Sequence, residues 1–186
     1  MTGRCILQIA LLVCFFTTAH SVSYKLLGFQ LRSSSLECQE LLVNLNRTSK
    51  YCLKDRMNFE VPEEIKKSQR FQKEEAILVI NEMFQKIFNI FSRSTSSTGW
   101  NETTVENLLA TLHWQKEHLE TILEEIMEEE NFTWDNTTLL NLKKYYLRIV
   151  RYLKAKEYSV CAWTVVHAEI LRNFFFLERL TDYLQN

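Results

Sequence analysis

The side chains of this 186-residue chain that could do chemistry are five cysteines, four histidines, a cluster of glutamates and four Asn-x-Ser/Thr triplets. His113 and Glu117 have the i, i+4 spacing of two metal ligands on a helix, while His113 and His118, five apart, fall on different faces. Two ligands do not make a metal site, which takes three or four. The run Glu124, Glu125, Glu128, Glu129, Glu130 lacks the glycine turn and alternating ligands of a calcium loop, so it reads as a solvated helix end. Turnover would need a nucleophile with its base, paired carboxylates, or a phosphate-cradling glycine loop; no such motif is present and the chain holds three glycines. The residues therefore point away from catalysis, and imply neither metal nor cofactor.

The amino terminus, MTGRCILQIALLVCFFTTAHS, sets Arg4 ahead of an apolar run from Cys5 to Phe16 and ends in small residues at Ala19 and Ser21. That pattern predicts a secretory signal peptide over 1–21, because a membrane span needs roughly 20 apolar residues. The expected mature chain, 22–186, is one domain and a secreted, extracellular protein. Export makes the four triplets, at Asn46, Asn101, Asn131 and Asn136, candidate N-glycosylation sites. Cys5 and Cys14 leave with the signal, so Cys38, Cys52 and Cys161 remain in an oxidising compartment, which predicts one bridge and one spare thiol. Three pairings are open. Cys38 sits within an apolar helical stripe, whereas Cys52 and Cys161 lie near element ends, and this favours Cys38 as a buried, free thiol.

These groups must be positioned by helices. Beyond the signal there are only two glycines (Gly28, Gly99) and one proline (Pro62), too few for a fold rich in tight turns. Five segments carry apolar residues at spacings of three and four: about 23–45 (Leu27, Leu31, Cys38, Leu42), 71–92 (Ile77, Ile80, Phe84, Ile87, Phe91), 101–129 (Val105, Leu108, Leu112, Leu119, Ile126), 133–156 (Leu142, Tyr146, Ile149, Leu153) and 159–183 (Val166, Ile170, Phe174, Leu177). Residues 46–70 form a connection long enough to cross a bundle and leave the first two helices parallel. The expected fold is an all-α bundle. Removing Arg4 leaves 21 basic against 23 acidic residues, a net −2, which gives no reason to expect nucleic acid or an anionic membrane as partner.

Around the two outer cysteines the chain reads YCLKDRMNFEVPEEI and CAWTVVHAEILRNF, with SSTGWNETTVENLLA between them. Together these segments resemble the type I interferons, over essentially the whole length. The resemblance implies a five-helix cytokine bundle with long crossover loops and a Cys52–Cys161 bridge that leaves Cys38 free. It implies a monomer that binds both chains of the type I interferon receptor without entering the membrane. Bridging them brings their Janus kinases together and switches on antiviral, antiproliferative and immunomodulatory gene expression. The high-affinity receptor chain would meet Leu53, Arg56, His167, Ala168, Leu171 and Arg172. The low-affinity chain would meet Phe88, Asn89, Leu109 and His113. Many relatives carry arginine where this chain has His167, so a charged contact there would depend on pH. Two other readings, a secreted carrier of an apolar ligand and a secreted hydrolase, would need an internal cavity or a reactive residue.

Overall fold

A computed structural model of the chain describes residues 23–45, 50–67, 71–93, 95–129 and 136–186. The expected signal peptide and the triplets at Asn46 and Asn131 lie outside these residues. Helix α1 spans Tyr24–Asn44, the single-turn α2 Glu63–Lys66, α3 Lys73–Phe91, α4 Glu102–Glu129, α5 Asn136–Ala155 and α6 Val160–Gln185, with 3-10 helices at Lys50–Asp55 and Ser96–Thr98. No strand occurs among the described residues. The five long helices follow the five periodic segments to within about three residues at each end.

Burial follows periodicity. On α1 Leu27, Leu31, Ser35, Cys38 and Leu42 are buried as one stripe at steps of three and four, with Gly28 buried beside Leu27. α3 buries a wider face, from Ala76 through Ile80, Phe84 and Ile87 to Phe91, because α4, α5 and α6 all pack on it. α6 is apolar and long enough to cross a membrane by length and composition, but half of that stretch is buried inside the bundle, which makes it a core helix. Its amino end is capped by the Ser159 hydroxyl, which accepts from the Ala162 amide. Asn101 caps α4 in the same way, its Oδ1 accepting from the Thr104 amide at 3.0 Å.

Helix directions follow from pairs at the two ends. The Tyr24 hydroxyl at the start of α1 donates to Glu74 at the start of α3, so these helices run parallel. At the far end the ring of Phe91 lies 5.8 Å from that of Trp163, which sets α6 antiparallel to α3. Arg32 of α1 reaches Glu178 and Asp182 near the carboxyl end of α6, consistent with the same arrangement. Gln115 of α4 meets Ser34, and Thr111 meets Glu37, so α4 descends along α1. Helices α1 and α3 thus point one way and α4 and α6 the other. The connection through 50–67 makes one crossover, and α5 lies in the second.

The α5–α6 corner closes as a Schellman turn: Tyr158 N–H donates to Leu153 C=O and Glu157 N–H to Lys154 C=O. Glu157 there holds φ 51°, a left-handed position usually given to glycine.

Candidate functional site

A long connection would have little shape without anchors, and here α5 supplies them from one stripe. The Arg148 guanidinium donates to the carbonyls of Phe59 (3.0 Å) and Glu60 (2.9 Å). The Tyr152 hydroxyl donates to Asp55 C=O (2.7 Å), and the Lys156 ammonium pairs with the Asp55 carboxylate (2.9 Å). Asn141 reaches Glu64 at 3.1 Å. Phe59 is fully buried, edge-on to Tyr152 with centroids 5.3 Å apart. On the other side Cys52 is bonded to Cys161 in the first turn of α6. Among the described residues Cys38 is the free cysteine; it is buried, and burial pushes its thiol up to about 12, with the Glu37 charge adding to the shift.

Held on both sides, the connection presents its tip outward. Leu53 is 61% exposed, and Arg56 and Met57 stand beside it. Between this tip and α6 runs a groove of about 320 Å³ whose α6 wall is Thr164, Val165, Ala168 and Glu169. Glu169 is the groove's buried acid, and its Oε1 accepts from Tyr145 Oη (2.6 Å) and from the Arg172 guanidinium (2.7 Å). Asn173 ties the cluster together, donating to Tyr145 Oη (2.6 Å) and accepting from Tyr146 Oη (2.5 Å). Burial, followed by the Glu169 charge, raises the Tyr145 hydroxyl far above its ordinary range, so it stays a donor. Arg172 is thus braced with its side chain about half exposed.

Leu53, Arg56, Ala168 and Arg172 therefore stand on one surface, with Leu171 half-buried on the neighbouring side of α6. His167 does not. It is 4% exposed, and its Nε2–H donates to Leu42 C=O of α1 at 2.7 Å. Its ring lies 5.8 Å from that of Trp100. The expected pH-dependent charged contact at His167 is corrected to an internal α1–α6 clasp: one residue before Ala168, it points 100° round the helix into the bundle. Burial lowers its pKa, favouring a neutral ring. Met57, Val165 and Glu169, absent from the sequence expectation, also line the groove, and Phe175, 58% exposed, continues the outer stripe of α6.

On the other face Phe88 and His113 pair across α3 and α4 with ring centroids 5.8 Å apart, and half-buried Leu109 lies one turn along α4. Asn89 parts from them. It lines a groove of about 400 Å³ between α3 and α5, with Lys86, Arg93, Lys143 and Leu147. Asn101 and Asn136 are exposed. No cluster of three or more His, Cys, Asp or Glu suited to a metal occurs among the described residues.

A parallel α1/α3 pair and two crossovers define the two-crossover class of helical bundle, the topology that helical cytokines adopt. The comparisons with known proteins narrow this. The interferon alpha/beta domain model matches residues 27–184. Interferon beta of Homo sapiens and of Equus caballus are each 63% identical to the chain, and that of Mus musculus 47%, in every case with all of both chains covered. Zebrafish interferon 1 shares the fold, with a TM-score of 0.69 at 16% identity over 82% of this chain and 95% of that one. The chain belongs to the interferon alpha/beta family, on its interferon beta branch. It is a type I interferon, and so a cytokine rather than an enzyme.

Proposed function

We propose that the chain acts by bridging the two chains of the type I interferon receptor, which brings their Janus kinases together and starts antiviral, antiproliferative and immunomodulatory transcription. The supporting observation is the surface on which Leu53, Arg56 and Met57, fixed by α5 and the disulfide, stand beside Ala168 and the braced Arg172. Exposed apolar and arginine side chains on a rigid frame suit a high-affinity contact, because little conformational freedom is lost on binding. The high-affinity chain takes this surface, through Leu53, Arg56, Ala168, Leu171 and Arg172. The low-affinity chain takes the α3/α4 face at Phe88, Leu109 and His113, with Asn89 at its border. In this reading residues 1–21 are removed on export, 22–186 are one secreted domain active as a monomer, and Asn46, Asn101, Asn131 and Asn136 are the glycan acceptors.

The test is transcription from an interferon-responsive reporter in matched-species cells, with and without the receptor, alongside binding to each receptor ectodomain. Wild-type protein should induce only receptor-bearing cells. Arg56→Ala, at an interface anchor worth about 2 kcal/mol, should weaken the high-affinity chain roughly thirtyfold and leave the low-affinity chain unchanged. Folded protein that is silent in responsive cells, or Arg56→Ala binding like wild type, refutes the assignment.

A further inference from the structure

Charge is unevenly divided between α4 and α5. Helix α4 carries eight glutamates against Lys116, whereas α5 carries Lys143, Lys144, Arg148, Arg151 and Lys154 and no carboxylate. The two helices sit on opposite flanks of α3, which packs against both. The chain's formal net charge of −1 thus conceals an acidic side and a basic side.

The basic side is ordered along one line. At 100° per residue, Lys143, Lys154, Leu147, Leu140, Arg151 and Lys144 fall within a 100° arc opposite the buried residues Leu142, Tyr146, Ile149 and Leu153. Leu140 and Leu147 are 50% and 45% exposed among these cations. Arg148, at the edge of the arc, is engaged by the carbonyls of Phe59 and Glu60, which leave its charge uncompensated. Glu82 of α3 is the carboxylate facing the row; it is shared between Lys86 (3.1 Å) and Lys143 (3.8 Å). Among the described residues Lys144, Arg151 and Lys154 have no carboxylate partner within ion-pair distance. Arg93 lines the far side of the α3/α5 groove but also borders Glu102 and Glu106 of α4, so the patch rests on the α5 cations.

We propose that this outer face of α5 is a docking surface for a sulfated glycosaminoglycan. A row of cations running about 16 Å along a straight helix matches a linear polyanion, and the exposed leucines between them match the apolar faces of its sugar rings. The row carries no aromatic side chain on which bases could stack, which disfavours single-stranded nucleic acid. Its apolar share is two leucines, too narrow to seat in an anionic bilayer. The surface is separate from the loop–α6 groove and does not depend on the receptor assignment.

Heparin is the probe. Asn136, a candidate glycan acceptor, falls in the same arc at the start of the row. Protein purified from the medium of mammalian cells is therefore freed of N-glycans by enzyme and passed over immobilised heparin at several salt concentrations, with completely desulfated heparin and phosphatidylserine vesicles as alternative surfaces. Wild type should bind heparin at about 0.15 M salt, with affinity falling linearly on a log–log plot against salt. Lys144→Glu/Arg151→Glu, or the milder Lys144→Gln/Arg151→Gln if the first fails to fold, should lose affinity at least tenfold and flatten the salt slope by about one to two. Lys25→Glu/Lys67→Glu makes the same change in net charge elsewhere and should bind as wild type. Failure of wild type to bind heparin, equal loss in the Lys25/Lys67 variant, or equally tight binding to desulfated heparin or to the vesicles would each overturn the proposal.

Discussion

Replacing both bridged cysteines, Cys52→Ala/Cys161→Ala, on a Cys38→Ser background that prevents thiol exchange, separates chain entropy from local anchoring. The bridge spans 109 residues. In the loop-closure model this restricts the unfolded chain by about 16 cal/mol/K, or about 4.8 kcal/mol at 25 °C. With a urea dependence of about 2 kcal/mol/M, the unfolding midpoint should fall by about 2 to 2.5 M relative to the Cys38→Ser parent. Such a loss is comparable with the whole stability of many domains, so the variant is best followed at low temperature by far-ultraviolet circular dichroism. Arg148, Tyr152 and Lys156 still hold the 50–60 segment in the variant, so receptor affinity measured on its folded fraction should fall far less than stability does. A midpoint change under about 0.5 M, or folded protein that has lost receptor binding entirely, would refute the division of labour between bridge and α5 anchors.

Arg148→Met keeps much of the side chain's bulk but removes the donors to Phe59 and Glu60; with one carbonyl part-buried, the expected cost is about 2 kcal/mol, checked by urea unfolding, together with weaker high-affinity receptor binding. His167 has a folded pKa below its ordinary value, so its contribution to stability is complete above about pH 6.5 and is lost as pH falls towards the folded pKa. Thermal melts from pH 7.5 to 5 should therefore show a decline that His167→Gln reduces; an unchanged decline would place the titration elsewhere. With its thiol raised to about 12 and no exposure, Cys38 should resist a thiol reagent in the native protein and react only as fast as the fold opens, and immediate labelling at pH 7.5 would contradict its burial.

Much of this architecture is legible in the sequence because helices advertise themselves locally. Leu27, Leu31, Cys38 and Leu42 repeat at the period of the element that buries them, and Ser159 stands one residue before the helix it caps. The placement of His167 was not legible by the same route. Helical spacing sets it among Val166 and Ile170 as readily as beside Ala168, and only the α1 carbonyl of Leu42, 125 residues away, decides that it faces inward. Asn89 shows the same limit: it adjoins Phe88 in sequence yet turns to α5, because α3 is covered on more than one side.

The long connection was still less readable, since its shape is imposed by side chains from elsewhere. Nothing within KDRMNFE announces that Arg148 will hold the Phe59 and Glu60 carbonyls, or that Glu60 will take φ 54°. Isolated on an unanchored loop, Leu53 and Arg56 would lose conformational entropy on binding any partner. Anchored between the disulfide and one stripe of α5, they lose less. The residues that make this surface effective are in good part the ones behind it, Arg148, Tyr152 and Tyr145, whose tie to the site lies in hydrogen bonds between segments distant in the chain.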